Sequence, residues 1–88
     1  MDYTFQQLRI FSTISETRSI TKAAEVLHIS QPAVSVQLKK FQDFFDNPLY
    51  EVIGRKLHLT DFGLEIAAVC RTTMQEAQQL KNKSKEHK

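Results

Sequence analysis

Residues 28–40, HISQPAVSVQLKK, decide how this chain is read. Ser30 is a good helix N-cap, because its hydroxyl can accept one of the unpaired N–H groups of a first turn. Gln31 and Pro32 follow in that turn, where proline lacks only an N–H that has no helical partner anyway. From there Val34, Leu38, Phe41 and Phe45 recur at steps of four, three and four, which predicts an amphipathic helix from 31 to about 46. Asp46-Asn47-Pro48 ends it, since asparagine tolerates a left-handed turn and proline cannot continue a helix. With the apolar stripe subtracted, Gln31, Pro32, Ser35, Val36 and Lys39 share the opposite side, at offsets 0, 1, 4, 5 and 8. This face is small and flat at its N-terminal end and cationic at Lys39-Lys40. Its acids, Asp43 and Asp46, come only later.

Upstream, residues 4–16 (TFQQLRIFSTISE) read as a first helix, with Phe5, Leu8, Phe11 and then Ile14 or Ser15 on its apolar side. Ser19 is an N-cap candidate for a short second helix, 20–27, whose inner face is Ile20, Ala23, Ala24 and Leu27. The paired alanines fit either a close helix–helix approach or simple helix propensity. His28-Ile29 is then a brief turn. Downstream, Leu49–Ile53 and Leu57–Leu59 are short, partly alternating and β-prone, with Gly54-Arg55-Lys56 as a turn between them: a small hairpin with a basic tip. Thr60-Asp61 caps a last helix, about 61–83. Gly63 in its first turn marks close packing. Ile66, Cys70, Thr73 or Met74, Ala77 and Leu80 carry an apolar seam along it, and the tail KNKSKEHK is charged. The expected architecture is mostly α: a three-helix core plus a two-stranded wing over residues 1–60, followed by a linker and dimerisation helix over 61–88.

Composition removes several classes of function. Eighty-eight residues make one small domain, and a partner surface often completes so small a core. The formal net charge is only +2, so any polyanion partner must be argued from where the charges sit. A single cysteine allows no disulfide framework and no thiolate zinc site, and fits a reducing cytoplasmic compartment. The start MDYTFQQLRIF lacks the apolar stretch of a signal peptide, and no run approaches the ~18 apolar residues of a membrane span. No glycine-rich phosphate loop or Ser/His/Asp pattern is present, and Asp43 and Asp46 have no acid–base partner, so no catalytic residue, metal or cofactor is expected. His28 lacks a second ligand and reads as a turn residue. Cys70 reads as a small buried residue at a dimer contact rather than an activated thiolate.

Any amphipathic helix has a polar outer face, and by itself the face Gln31–Lys39 is explained by solvation. The conjunction is different. A tight two-helix turn, two capped helix N-termini, an acid-free face and a basic hairpin fall within about 40 residues, in the order of a winged helix-turn-helix. Such a face can enter a major groove, where glutamine pairs with adenine, serine with several edges, and proline or valine with a thymine methyl. Helix N-termini offer free N–H groups to phosphates.

The segments LRIF, SITKAAEVLHISQPAVSVQLKKF, PLYE and GRKLHLTDFG, together roughly residues 5–65, resemble the DNA-binding domain of LysR-type transcriptional regulators. The resemblance implies a sequence-specific reader of double-stranded operator DNA that works as a homodimer through antiparallel linker helices. It also implies that a C-terminal domain binds a small-molecule effector, so this chain resembles an isolated DNA-binding fragment. Carried over by position, base reading falls on Gln31, Pro32, Ser35 and Val36. Ser30 lies at the cap, Thr21 and Lys39 on the DNA backbone, and Arg55, with Lys56 beside it, at the minor groove or backbone. Ile66, Cys70, Met74, Ala77 and Leu80 fall on the dimer seam. Many relatives carry arginine where Val36 and Val52 stand, which removes a base or phosphate contact and makes the wing less cationic. Phe44 and Asp46 replace a frequent acid and a frequent glycine, so the end of the third helix closes differently, with Phe44 exposed or packed on the linker helix. The small residue at 36 resembles the branch that regulates carbon-fixation operons. Two rivals remain: an interaction module that has lost DNA binding, favoured by Val36 and Val52, and a coiled-coil piece in which only the last helix matters.

Overall fold

The structure, a computed structural model, describes residues 2–87. Its elements run α1 (Phe5–Thr17), α2 (Ile20–Leu27), α3 (Gln31–Gln42), β1 (Tyr50–Ile53), β2 (Lys56–Leu59) and α4 (Asp61–Glu86). All four helices begin by one device. The hydroxyls of Thr4, Ser19, Ser30 and Thr60 accept the backbone N–H groups of Gln7, Lys22, Ala33 and Gly63, each three residues on. Each such cap contributes about 1 kcal/mol to the helix it starts. The first two helices, α1 and α2, also stop alike. Arg18 and His28 turn left-handed, at φ 56° and 57°, and return their N–H groups to the preceding turn. His28 is therefore a turn residue, and its backbone sets the bend into α3.

The core forms where α1, α2 and α3 meet the base of the wing and the first turns of α4. Phe11, Ile10 and Ile14 of α1 pack with Ala23 and Ala24 of α2 and with Val34, Leu38 and Phe41 of α3. Both alanines are buried, so the paired small residues do serve close packing in α2. The Phe41 ring lies 5.5 Å from Phe11 and 5.2 Å from Phe45, and Phe45 in turn lies 5.7 Å from Phe62 of α4. These tilted and edge-to-face contacts, at the spacings aromatic pairs prefer, run from α1 through α3 to α4. Leu49, Ala67 and Cys70 complete the same core, so the change of element at residue 60 is not a change of core.

Three expectations need correction. First, the buried side of α1 is Gln7, Ile10, Phe11, Ser12 and Ile14, while Phe5 is 53% exposed and Leu8 only partly buried. The cause is that α1 packs against α2 and α3 on one side and α4 on another, which buries more than one stripe. Second, α3 ends at Gln42 rather than near 46. Phe44 and Phe45 donate to carbonyls three residues back, those of Phe41 and Gln42, and this tighter turn brings both rings against Phe41. The Gln42 side chain then holds the loop: its Nε2 donates to the Asn47 carbonyl at 2.9 Å, and its Oε1 accepts the Leu49 N–H at 2.6 Å. Third, the hairpin loop is Gly54-Arg55, because Lys56 already pairs with Ile53 as the first residue of β2. Gly54 sits at φ 64°, the left-handed position that a two-residue hairpin loop asks of glycine.

The wing is fixed to α4 at Thr60. Its N–H donates to the Leu49 carbonyl (3.1 Å), and its hydroxyl both donates to the Pro48 carbonyl (2.6 Å) and caps Gly63. Gly63 is buried so closely against Leu49 that a Cβ there would overlap the Leu49 carbonyl. The close packing expected of this glycine is therefore present.

Candidate nucleic-acid interface

Ser30 starts α3 with its side chain turned back onto the Ala33 N–H (3.2 Å). Cap and proline together fix where the helix starts, and its packing on the core decides which side chains face out. Val34, Leu38 and Phe41 go into the core; Gln31, Pro32, Ser35, Val36 and Lys39 are all exposed. Val36 is 50% exposed, so the valine pair in AVSV divides, one inside and one outside. The five outer residues form one continuous strip. There is no acid in the first turn of α2 or of α3, and Lys39 and Lys40 complement the dipole at the end of α3. Thr21 lies exposed in the first turn of α2.

Arg55 and Lys56 are exposed at the far end of the hairpin, and the Cβ direction of Gly54 meets only open space. Val52 and Ile53 are largely exposed on the same strand. The wing therefore offers two cations flanked by apolar side chains, held at its base by Gln42 and Thr60.

The five α4 residues expected at the dimer seam separate. Cys70 is 1% exposed and belongs to the core of its own chain, so it is removed from the dimer seam. Burial pushes its thiol up to about 11, which keeps it neutral and inert near neutral pH. Ile66 packs against that same core. Met74 and Ala77 are half-buried and line a groove against Phe5, Arg9 and Thr13 of α1. Only Leu80 is freely exposed, at 76%. The apolar seam of α4 thus divides between the core of its own chain, at Ile66 and Cys70, and an open groove beside α1, at Met74 and Ala77. Periodicity missed the residues that do remain uncovered. Val69, 62% exposed, shares the phase of Leu80 eleven residues on, and Leu64 is also exposed near the start of α4.

One polar contact also escaped the apolar pattern. Gln7 is only 5% exposed; its Oε1 accepts the Thr4 N–H (2.9 Å) and its Nε2 donates to Gln37 Oε1 on α3 (3.2 Å). The signal in the sequence is TFQQ, residues 4–7, in which Thr and Gln stand at capping-box spacing.

The family model for bacterial regulatory helix-turn-helix proteins of the lysR family matches residues 5–64. The chain belongs to the LysR family. It carries the winged helix-turn-helix DNA-binding domain of these transcriptional regulators. The RuBisCO operon transcriptional regulator of Allochromatium vinosum is 41% identical over 66 residues, which is 75% of this chain and 22% of that protein. The HTH-type transcriptional activator CmpR of Synechocystis is 48% identical over 60 residues, 68% of this chain and 20% of its own length. This chain thus spans between a fifth and a third of the length of the curated relatives it matches. Among solved structures, the complex of the BenM DNA-binding domain with catB site 1 DNA superposes with a TM-score of 0.87 at 26% identity, over 94% of this chain and 93% of that one. The exposed strip on α3 and the basic wing lie within this LysR domain. Among the described residues no cluster of His, Cys, Asp and Glu could hold a metal, and no helix is long and apolar enough to cross a membrane.

Proposed function

We propose that this chain binds double-stranded operator DNA in the cytoplasm as a homodimer. In this reading α3 lies in the major groove with Gln31, Pro32, Ser35 and Val36 toward the base edges. Lys39, Thr21 and the first turn of α3 at Ser30 meet phosphates, and Arg55 with Lys56 reaches the backbone or the adjacent minor groove. Phosphate contacts set position and most of the affinity, and base contacts set specificity. The observation that carries the reading is the exposed, acid-free strip from Gln31 to Lys39, on a fold shared with LysR domains solved on DNA. Val36 meets a thymine methyl where an arginine would have reached a guanine or a phosphate.

Dimerisation falls to the uncovered side of α4, with Val69 and Leu80 as its apolar contacts. An effector would act through a C-terminal domain like that of other family members. The similarity to regulators of RuBisCO operons supports a carbon-fixation operon as the target.

The test is selection of binding sites from a random DNA pool, followed by titrations on selected and random duplexes. Gln31→Ala is expected to cost about 1–3 kcal/mol on the selected site and to relax one base position. Equal losses on both duplexes would remove Gln31 from base reading. The competing reading is a protein-interaction module, favoured by the exposed valines at 36 and 52. It predicts no salt-dependent shift on any duplex.

A further inference from the structure

The pair Gln7–Gln37 is the one hydrogen bond between side chains of different helices among the described residues. It links positions thirty apart in sequence, from the first turn of α1 to the middle of α3. The geometry fixes the direction of both amides. Thr4 N–H can only donate, so Gln7 must present its oxygen there, which turns its NH2 group toward α3. Gln37 must then present its oxygen to Gln7. The capping box needs only the oxygen of Gln7, so the second half of this buried amide is free for another task.

We infer that Gln7 is a positioning residue for base recognition: through Gln37 it sets the rotation of α3 about its own axis. The rest of the contact between α1 and α3 is apolar, with Phe11 against Phe41 and the flanking aliphatic side chains. The hydrophobic effect behind this packing is non-directional, so it sets the rotation of α3 less sharply than a polar contact does. A hydrogen bond is directional, because it weakens steeply outside a window of about 2.7–3.2 Å and below about 120°. Gln37 immediately follows Val36 on the outer strip and precedes buried Leu38, so it sits at the edge between core and groove face. Groove-facing atoms lie about 5–6 Å from the helix axis, so a rotation of about 10° carries them about 1 Å. That displacement is enough to spoil a hydrogen bond to a base edge while leaving long, pliable lysine and arginine contacts to phosphate in place.

The inference rests on the proposed reading of DNA by α3 and is tested on the same selected and random duplexes. Gln7→Leu keeps the size of the side chain but loses the bond. It is expected to lower the ratio of selected-site to random affinity by about tenfold, the size of one weakened base contact, with random affinity and its salt slope unchanged. A purely structural role would reduce the folded fraction and so lower both affinities together, leaving the ratio intact. Gln7→Glu restores the link, because its carboxylate still accepts from Thr4 and a flipped Gln37 amide can donate to it. Its ratio is expected to match the parent chain. Gln37→Leu serves should Gln7→Leu fail to fold, and the double change is expected to lose no more than either single one. An unchanged ratio in the Leu variants, beside a parent chain that discriminates, overturns the positioning role alone. A parent chain that binds both duplexes equally overturns the base-reading proposal and this inference with it.

Discussion

Replacing Gly63 by alanine tests how the wing is attached to the rest of the domain. In an ordinary helix this change stabilises, because glycine is about 1 kcal/mol poorer than alanine. Here the added Cβ falls on the carbonyl of Leu49. That carbonyl cannot simply move aside. It accepts the Thr60 N–H, the Leu49 N–H is held by Gln42, and the Leu49 side chain is fully buried. Overpacking of this kind costs about 1–3 kcal/mol. Breaking one of the Leu49 backbone bonds adds about 1 kcal/mol more. Set against the propensity gain, the net destabilisation is about 1–3 kcal/mol. In urea, with a slope of about 1 kcal/mol per molar for so small a domain, the midpoint is expected to fall by about 1–3 M. The thermal midpoint is expected to fall by about 5–20 °C. Both are to be measured at matched protein concentration, since dimerisation also shifts apparent stability. A midpoint equal to or above that of the parent chain would refute the close approach of α4 to the wing.

Arg55→Ala is expected to weaken binding to every duplex and to flatten the plot of log affinity against log salt by about 0.9 for each phosphate that Arg55 neutralises. Between about 50 and 200 mM salt that amounts to about 3.5-fold, and an unchanged slope would place Arg55 off the backbone. Val36→Arg is expected to do the reverse, steepening the slope by a similar amount; no change would mean that this face does not approach DNA. For Cys70 the folded state favours the neutral thiol. Its contribution to stability is therefore complete below the unfolded thiol's pKa, near 9, and is lost as pH rises toward about 11. Denaturation midpoints of the parent and Cys70→Ala are expected to converge over that range, and a constant difference would contradict burial as the cause. Val69→Lys is expected to drive the chain toward monomer in sedimentation, and an unchanged mass would move the dimer contact elsewhere.

What the sequence determined by itself was local. Caps, proline placement and apolar spacing needed only neighbours in the chain, so Ser19, Ser30 and Thr60 marked helix starts and Val34, Leu38 and Phe41 the inner side of α3. The exposed strip of α3 followed by subtraction, which is why Val36 was legible as an outer residue. The order of helices and hairpin was legible for the same reason. Tertiary structure decided whatever depended on which surface covers which. The α4 seam was visible as apolar, but only the packed fold shows that Cys70 is used within the chain, that Met74 and Ala77 line a groove beside α1, and that Val69 and Leu80 stay uncovered. The end of α3 was set by aromatic rings drawn to Phe41 and by Gln42 reaching Asn47 and Leu49, contacts that helix periodicity does not encode. Gln7 looked like one more polar residue in a helix. Its burial, and its bond to a residue thirty positions away, arise only when α1 and α3 pack, because a buried amide must find its partner across that interface.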